Sequence, residues 1–325
     1  MRWQLKSFIQ QRIAQLPRPL SEMAYFTLQR HFGSLQRSRV TPVNRLSVGL
    51  EICRQIELQG RSPQNATFFE VGTGWRLNVP LACWLCGAGQ IITADLNAFL
   101  NDSLINEDLA YIHRNKEALF QQLQPKFGDL IQLDRWERLT CMASSRVSTA
   151  QLCDRLNIEY LAPSDASCTN LDSHSVDFHV SCNVLEHIPQ AELRKIFREA
   201  RRVTRPDGLL LHRVDHTDHF SHSDSSLAPI HFLRFSEAEW RKYADNRYAY
   251  VNRLREDDYI EMFQDCGHIV RNVNSVSDQH IAKLLDSGYS LNHRFRDKKR
   301  DVLTRLDSLF VLVPDSATAF ESNAA

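Results

Sequence analysis

A short apolar, β-rich run, Ala66-Thr-Phe-Phe-Glu-Val71, stops at Gly72-Thr-Gly74 and gives way to a helical pattern from Leu77 to Cys86. Glycines at a strand-to-helix turn permit positive φ and let the backbone approach a ligand closely. The helix start that follows offers free N–H groups to a carboxylate or phosphate. A second short strand, Gln90 to Asp95, ends in a carboxylate 23 residues beyond Gly72. An acid at that place accepts the two hydroxyls of a ribose. In this order the pieces predict an adenosine-containing ligand outside the carboxyl ends of parallel strands.

The alternation continues along the chain. Ile158–Leu161, Val176–Ser181 and Leu209–Val214 read as three further strands, with a helix from about Gln190 to Val203 and a turn at Arg205-Pro-Asp-Gly208. His268–Val276 and Ser308–Val313 read as two late strands. Strands alternating with helices imply an α/β fold, a doubly wound, Rossmann-like sheet of about seven strands with the last one antiparallel. Residues 98–157 are mostly helical in pattern and read as an insertion. One long helix is expected over about 236–265, and the basic run Arg294 to Arg300 as an exposed loop. The domain expectation is a helical segment or lid over 1–65, the α/β domain over 66–315 and a tail over 316–325.

The nucleotide could be a nicotinamide dinucleotide, but the turn fits that fingerprint poorly. Its three small-residue positions fall on Gly72, Gly74 and Leu77, so the third is missing. A different family accounts for more residues. Phe68-Phe-Glu-Val-Gly-Thr-Gly74, Thr93-Ala-Asp95, Pro163-Ser-Asp-Ala166, Val176 to Pro189 with its Leu185-Glu-His-Ile-Pro ending, and Arg202 to Gly208 resemble, in order, the motifs of class I S-adenosylmethionine (SAM)-dependent methyltransferases. The resemblance spans about 150 residues, 66–215. It departs at Arg76, where that family often has a third glycine.

The resemblance implies SAM as cofactor and roles for particular residues. Glu70 would orient the turn or reach the methionine ammonium, and Gly72 and Gly74 would admit that moiety. Asp95 would hold the ribose, and Asp165 with the Ala166 amide would read the adenine. Ser181 to Asn183 would line the cofactor beside the methyl group. Methyl transfer needs chiefly alignment, and a base only where the acceptor must lose a proton. His187 is one candidate base. The segment after the fifth strand, with His212, Asp215, His216, Asp218, His219, His222 and His231, supplies His216 and His219 as others. That segment points to a hydroxyl on a small-molecule acceptor. Its spacing matches no fixed zinc pattern, and no metal is assigned. Trp240, Tyr243, Tyr248, Tyr250 and Tyr259 are aromatics at helical spacing, either core or the wall of an acceptor pocket.

Charge and composition limit the partners. Lys+Arg and Asp+Glu are both 39, yet residues 1–46 hold eight basic residues against the single acid Glu22. That leaves +7 on the first segment and −7 on the rest, which gives no bulk attraction to nucleic acid. Trp3, Leu5, Phe8, Ile9, Ile13 and Leu16 approximate a helical stripe ended by Pro17 and Pro19, with further helices at about 21–32 and 43–58. Such a basic amphipathic leader either docks on the domain as a lid or lies on an anionic membrane surface. Under the second reading the chain would be a non-catalytic SAM-fold module for a membrane or protein partner. The longest apolar stretch, Val79 to Gly89, is about ten residues, against the roughly 20 a membrane helix needs. The eight cysteines, including Cys83 and Cys86 three apart in that stretch, read as small reduced hydrophobes of a cytoplasmic protein.

Overall fold

The structure, a computed structural model, describes residues 1–36 and 42–315. The expected tail, 316–325, and Arg37 and Arg39 of the basic leader lie outside the described residues. Helices α1 (Trp3–Ala14), α2 (Arg18–Phe32) and α3 (Pro42–Leu58) lead into β1 (Thr67–Val71), α4 (Asn78–Leu85) and β2 (Gln90–Ala94). Four helices follow, α5 (Asp102–Arg114), α6 (Lys116–Phe127), α7 (Leu133–Met142) and α8 (Thr149–Arg155). Then come β3 (Ile158–Leu161), β4 (Val176–Cys182), α9 (Gln190–Val203) and β5 (Thr204–Asp215). The chain finishes with α10 (Glu237–Ala244), α11 (Glu256–Asp265), β6 (His268–Ser277), α12 (Gln279–Asp286), α13 (His293–Arg296), α14 (Arg300–Thr304) and β7 (Arg305–Pro314).

One seven-stranded sheet has the order β3-β2-β1-β4-β5-β7-β6, with β7 antiparallel to both its neighbours. Helices cover both faces, so its central strands are apolar on both sides. On β1, Phe68 packs with Phe178, Leu209 and Val311 under α3 and α4, while Phe69 packs with Leu210 and Phe310 under α9 and α11. The seven residues Val79–Leu85 are all buried, which is why α4 reads as a continuous apolar run. Cys53, Cys83 and Cys86 lie buried in that layer, and all eight cysteines are unpaired. A third apolar cluster joins α1, α10, α12 and α13 through Trp3, Trp240, Ile281 and Phe295.

Four details differ from the sequence expectation. Arg205-Pro-Asp-Gly208 is no turn between elements but a bulge inside β5. Thr204 pairs with Val176 and Leu209 with Phe178, so the residues between are pushed outward. The helix expected over 236–265 is two helices, because the segment between them turns at 247–249 and at Arg253 (φ +59°) and carries two fully buried arginines. Arg253 donates to the Phe232 and Phe235 carbonyls, and Arg255 to those of His216, Val302, Leu303 and Arg305. The basic run Arg294 to Arg300 is largely exposed as expected, but it is helical at both ends, with Phe295 fully buried and Lys298 paired with Asp257 and Asp258 at 2.7 and 2.8 Å. Finally, α1 does not bury its apolar stripe. It turns Trp3, Ser7 and Gln10 inward and leaves Leu5, Phe8 and Leu16 exposed.

Arg76, the residue in the place of a third glycine, is 4% exposed and turned away from the turn. It donates to the Leu104 carbonyl at 2.7 Å and pairs with Asp108 at 2.6 Å, both on α5. Burial pushes the Asp108 carboxyl up, and the guanidinium pulls against it. The pair fastens the inserted helices to the start of α4. Removing one partner of such a pair costs roughly 3–5 kcal/mol because a buried charge is stranded. Asp108→Ala is therefore expected to lower the unfolding free energy by that amount in denaturant titration, and Arg76→Leu with Asp108→Leu to recover most of it. A loss below about 1 kcal/mol in the single variant would contradict this account.

Candidate active site

The carboxyl ends of β1, β2, β4 and β5 lie side by side because the strands are parallel. Gly72 and Gly74 hold φ of +87° and +66° there. A Cβ on Gly72 would meet the Val184 side chain at 2.2 Å, whereas Gly74 has open space beside it. The Asp95 carboxylate ties this turn to β2. One oxygen accepts the Gly74 N–H and the other the Asn97 N–H, each at 2.9 Å. A carboxylate has about four acceptor positions, so two remain for ligand hydroxyls. The Ser164 N–H donates to the Asp95 carbonyl at 2.8 Å, bringing exposed Asp165 and buried Ala166 to the same rim. The backbone bond Ser164 N to Asp95 O fixes that approach.

Beneath the turn, Glu70 is 3% exposed and accepts a hydrogen bond from the Thr93 hydroxyl, which in turn is bonded to Thr73. Burial raises the Glu70 carboxyl to about 8, with the Thr93 bond opposing and the Asp95 charge adding. Thr73 and Thr93 stand in the sequence motifs without a role, and Trp75, which stacks on Phe99 at 4.7 Å beside the turn, escaped the sequence reading. Ser181 is fully buried, and its hydroxyl faces His212 Nδ1 at 2.8 Å rather than the cleft. Asn183 is exposed, in the left-handed region at φ +52°.

The candidate bases separate in space. His216 sits in the interior, with Nδ1 3.3 Å from the Leu254 carbonyl and Nε2 3.0 Å from the Ser308 hydroxyl. Burial, then the Arg255 charge, push it down to about 3. His231 pairs with the fully buried Asp218 at 3.0 Å, a structural pair under Trp3. His187 and His219 come together, ring centroids 4.9 Å apart, where β4 and β5 end. The His187 Nδ1–H donates to the Tyr250 carbonyl at 2.9 Å, which leaves Nε2 with a free lone pair. Asp215 and His222 complete this cluster. Although burial opposes its charge, the His219 and Thr217 contacts hold the Asp215 carboxyl well below the usual range.

The hairpin α1–α2 roofs this edge. Phe26 packs on Trp75 at 5.3 Å and Tyr25 stacks on Tyr248 at 3.9 Å. Trp3 packs edge-on against Tyr243 at 4.7 Å, and Lys6 Nζ donates to the His219 carbonyl at 3.2 Å. Under the roof lies a cavity of about 30 Å³, lined by Lys6, Gln10, His187, His219, Trp240 and Tyr248 among others. That is about the share of one water, so the cavity admits nothing larger unless the hairpin moves. A wider cleft of about 1100 Å³, between α5 and residues 143–148, has no lining residue from the strand ends.

Residues 116–212 match the model of the methyltransferase domain family. That match covers less than a third of the chain and stands beside the sheet order, the glycine turn and the Asp95 clamp. The chain carries a methyltransferase domain of the SAM-dependent type. The match begins beyond the glycine turn, so the turn is evidence outside it. No curated protein matches the chain. Among solved structures it is similar to a SAM-dependent methyltransferase from Methanosarcina mazei, at 12% identity over 80% of this chain and 97% of that one, TM-score 0.44. It is similar too to a putative sarcosine dimethylglycine methyltransferase from Galdieria sulphuraria (15%, 83% and 86%, TM-score 0.42). A third is magnesium protoporphyrin IX methyltransferase from Synechocystis with bound SAH (9%, 96% and 96%, TM-score 0.43). No helix of the described residues is long and apolar enough to cross a membrane.

The methyltransferase's buried Glu70 gives a pH signature. Unfolded, it ionises near 4.5, whereas native it keeps its proton to about 8. The native state thus binds the extra proton between those values, and stability falls as pH rises through them by about 1.4 kcal/mol per unit. Glu70→Gln should match the native protein in thermal unfolding near pH 4.5 and exceed it increasingly up to pH 8. A constant difference across that range would place the ionised carboxylate in the native state.

Proposed function

We propose that this methyltransferase transfers a methyl group to a hydroxyl of a small-molecule acceptor seated beneath the α1–α2 hairpin. The observation that carries the reading is the convergence of His187, Asp215, His219 and His222 at the ends of β4 and β5. A hydroxyl must shed a proton to become a good nucleophile, and an amine or thiolate has less need of such a cluster. SAM, when bound, supplies an electrophilic methyl on a sulfonium. The chain's own residues position it. Glu70, Gly72 and Gly74 receive the methionine part, and the open side of Gly74 supports that role. Asp95 accepts the ribose hydroxyls, and Asp165 with the Ala166 amide reads the adenine. Ser181 to Asn183 contribute backbone beside the methyl group, since the Ser181 hydroxyl is engaged with His212. His187 and His219 face the acceptor, while His216 braces β5 against β7. The hairpin excludes water during the transfer.

A second reading has its own observation. Leu5, Phe8, Leu16, Leu20 and Met23 are 41–62% exposed on the outer side of the hairpin, among exposed Arg2, Arg12 and Arg18. Apolar side chains within a basic rim suit an anionic bilayer surface. In this reading the enzyme meets its acceptor at a membrane.

The first test is SAM-dependent methylation by the full chain of a panel of hydroxyl, amine and carbon acceptors, with calorimetric SAM titration of Asp95→Ala alongside. Products methylated at oxygen, and SAM affinity at least about tenfold weaker in the variant, about 1.4 kcal/mol, are expected. Methylation confined to nitrogen or carbon would remove the hydroxyl assignment. For the membrane reading, the full chain should sediment with phosphatidylserine vesicles, and Phe8→Ser with Met23→Ser should release it. Absence of co-sedimentation at low salt would end that reading.

A further inference from the structure

The geometry points to a divalent-cation site at the end of β5, and we propose that Asp215, His219 and His222 are its ligands, with Glu186 and His187 closing it from the end of β4. The inference rests on the acceptor reading above, because His187 and His219 also line the cavity under the hairpin.

Three observations carry it. Asp215 uses its two oxygens differently. Oδ1 accepts the Thr217 N–H at 2.8 Å and the Thr217 hydroxyl at 2.6 Å. Oδ2 faces His219 Nε2 at 3.4 Å and His222 Nε2 at 3.6 Å. Those separations exceed ordinary N–H···O bonds, about 2.7–3.2 Å. They match the edges of a four-coordinate shell, where metal–ligand bonds of about 2.1 Å leave neighbouring ligands about 3.4 Å apart. The two imidazoles stack with centroids 4.9 Å apart, which keeps their Nε2 atoms on one side. His222 Nε2 is also 2.7 Å from the Thr217 hydroxyl, the contact that a cation would replace.

The second observation is Glu186. It is 2% exposed, and its carboxylate meets no side-chain donor or cation among the described residues, only the backbone N–H groups of Glu186 and Asp215. A buried carboxylate with no counter-charge costs free energy, and a cation beside His219 would supply one. A ligand atom from each of Glu186, His187 and His219 lies within 4.8 Å of the others, as for Asp215, His219 and His222, so His219 joins the two sets. Third, the Nδ1–H of His187 is committed to the Tyr250 carbonyl. Such a bond fixes the tautomer and aims Nε2 as metal-binding histidines require.

Two imidazoles with a carboxylate favour a first-row ion such as Zn2+ over Mg2+. Half-exposed His222 marks the way in for the ion. With Asp215, His219 and His222 as the three protein ligands, the fourth position of the shell is left for the acceptor, and Glu186 and His187 flank it. A hydroxyl bound there is acidified by the cation, and its proton passes to solvent.

The test is calorimetric titration of the EDTA-stripped full chain with Zn2+ and, separately, Mg2+. It is made in a Cys141→Ser/Cys168→Ser background, so that no exposed thiol competes for zinc. One Zn2+ per chain is expected, bound roughly 100-fold more tightly than Mg2+. His219→Ala and His222→Ala should each weaken it at least about tenfold, and exposed His280→Ala should not. If His219→Ala fails to fold, His222→Ala at the half-exposed position decides, with thermal unfolding as the check on its structure. Co2+ absorption should change in the same two variants. No stoichiometric Zn2+ binding by the folded chain, or binding kept intact in both histidine variants, overturns the site. Zinc binding without methylation of any hydroxyl acceptor leaves the site standing and removes the acceptor reading. Full-rate hydroxyl methylation by stripped, zinc-free chain overturns the cation's part in acidifying the acceptor.

Discussion

Parallel strands deliver all their carboxyl ends to one edge, and this constraint places every reactive group of the protein. β1, β2, β4 and β5 run the same way. The glycine turn, Asp95, the Leu185-Glu-His187 turn and the Asp215 cluster therefore meet without any of them being near in sequence. The unpaired backbone groups at those strand ends must be matched by turns and side chains. Asp95 does so for the Gly74 and Asn97 amides, which fixes its carboxylate beside the glycine turn.

The edge is supported by buried charges that look extravagant until their partners are traced. Arg76 pins α5 to the start of α4 through Asp108. Arg255 gathers four backbone carbonyls from β5's end, α14 and β7. Each satisfies groups that an irregular, buried chain path would leave unmatched, so each exchanges a desolvation cost for a defined geometry. The reward lies at a distance: the helices and loops that surround the cleft are held by interior arginines, and the cleft itself is left to Glu70, Asp95, Glu186 and the histidines.

The hairpin α1–α2 shows how a basic leader serves two surfaces. Its inner face is mixed, with Trp3 as the apolar anchor and Ser7, Gln10 and Lys6 bonding to the segments beneath. Its outer face keeps Leu5, Phe8, Leu16, Leu20 and Met23. A helical wheel drawn on hydrophobicity alone selects the outer face for burial. The hydrogen bonds that Ser7 and Gln10 find with the Tyr243 and Tyr248 carbonyls reverse that choice.

The alternating strands and helices, the glycine turn, Asp95 and the strand-four motif were legible in the sequence, because each is a local pattern: a period, a φ requirement or a chain end. Strand alternation even separates His212 from Asp215 across β5. Other matters needed the tertiary structure. Which side Arg76 turns to, how His216 comes to be enclosed, and how Asp215, His219 and His222 meet Glu186 and His187 all depend on segments tens of residues apart. Sequence spacing encodes what a chain does over one turn or one strand. Burial and long-range pairing are decided only when distant segments compete for the same space.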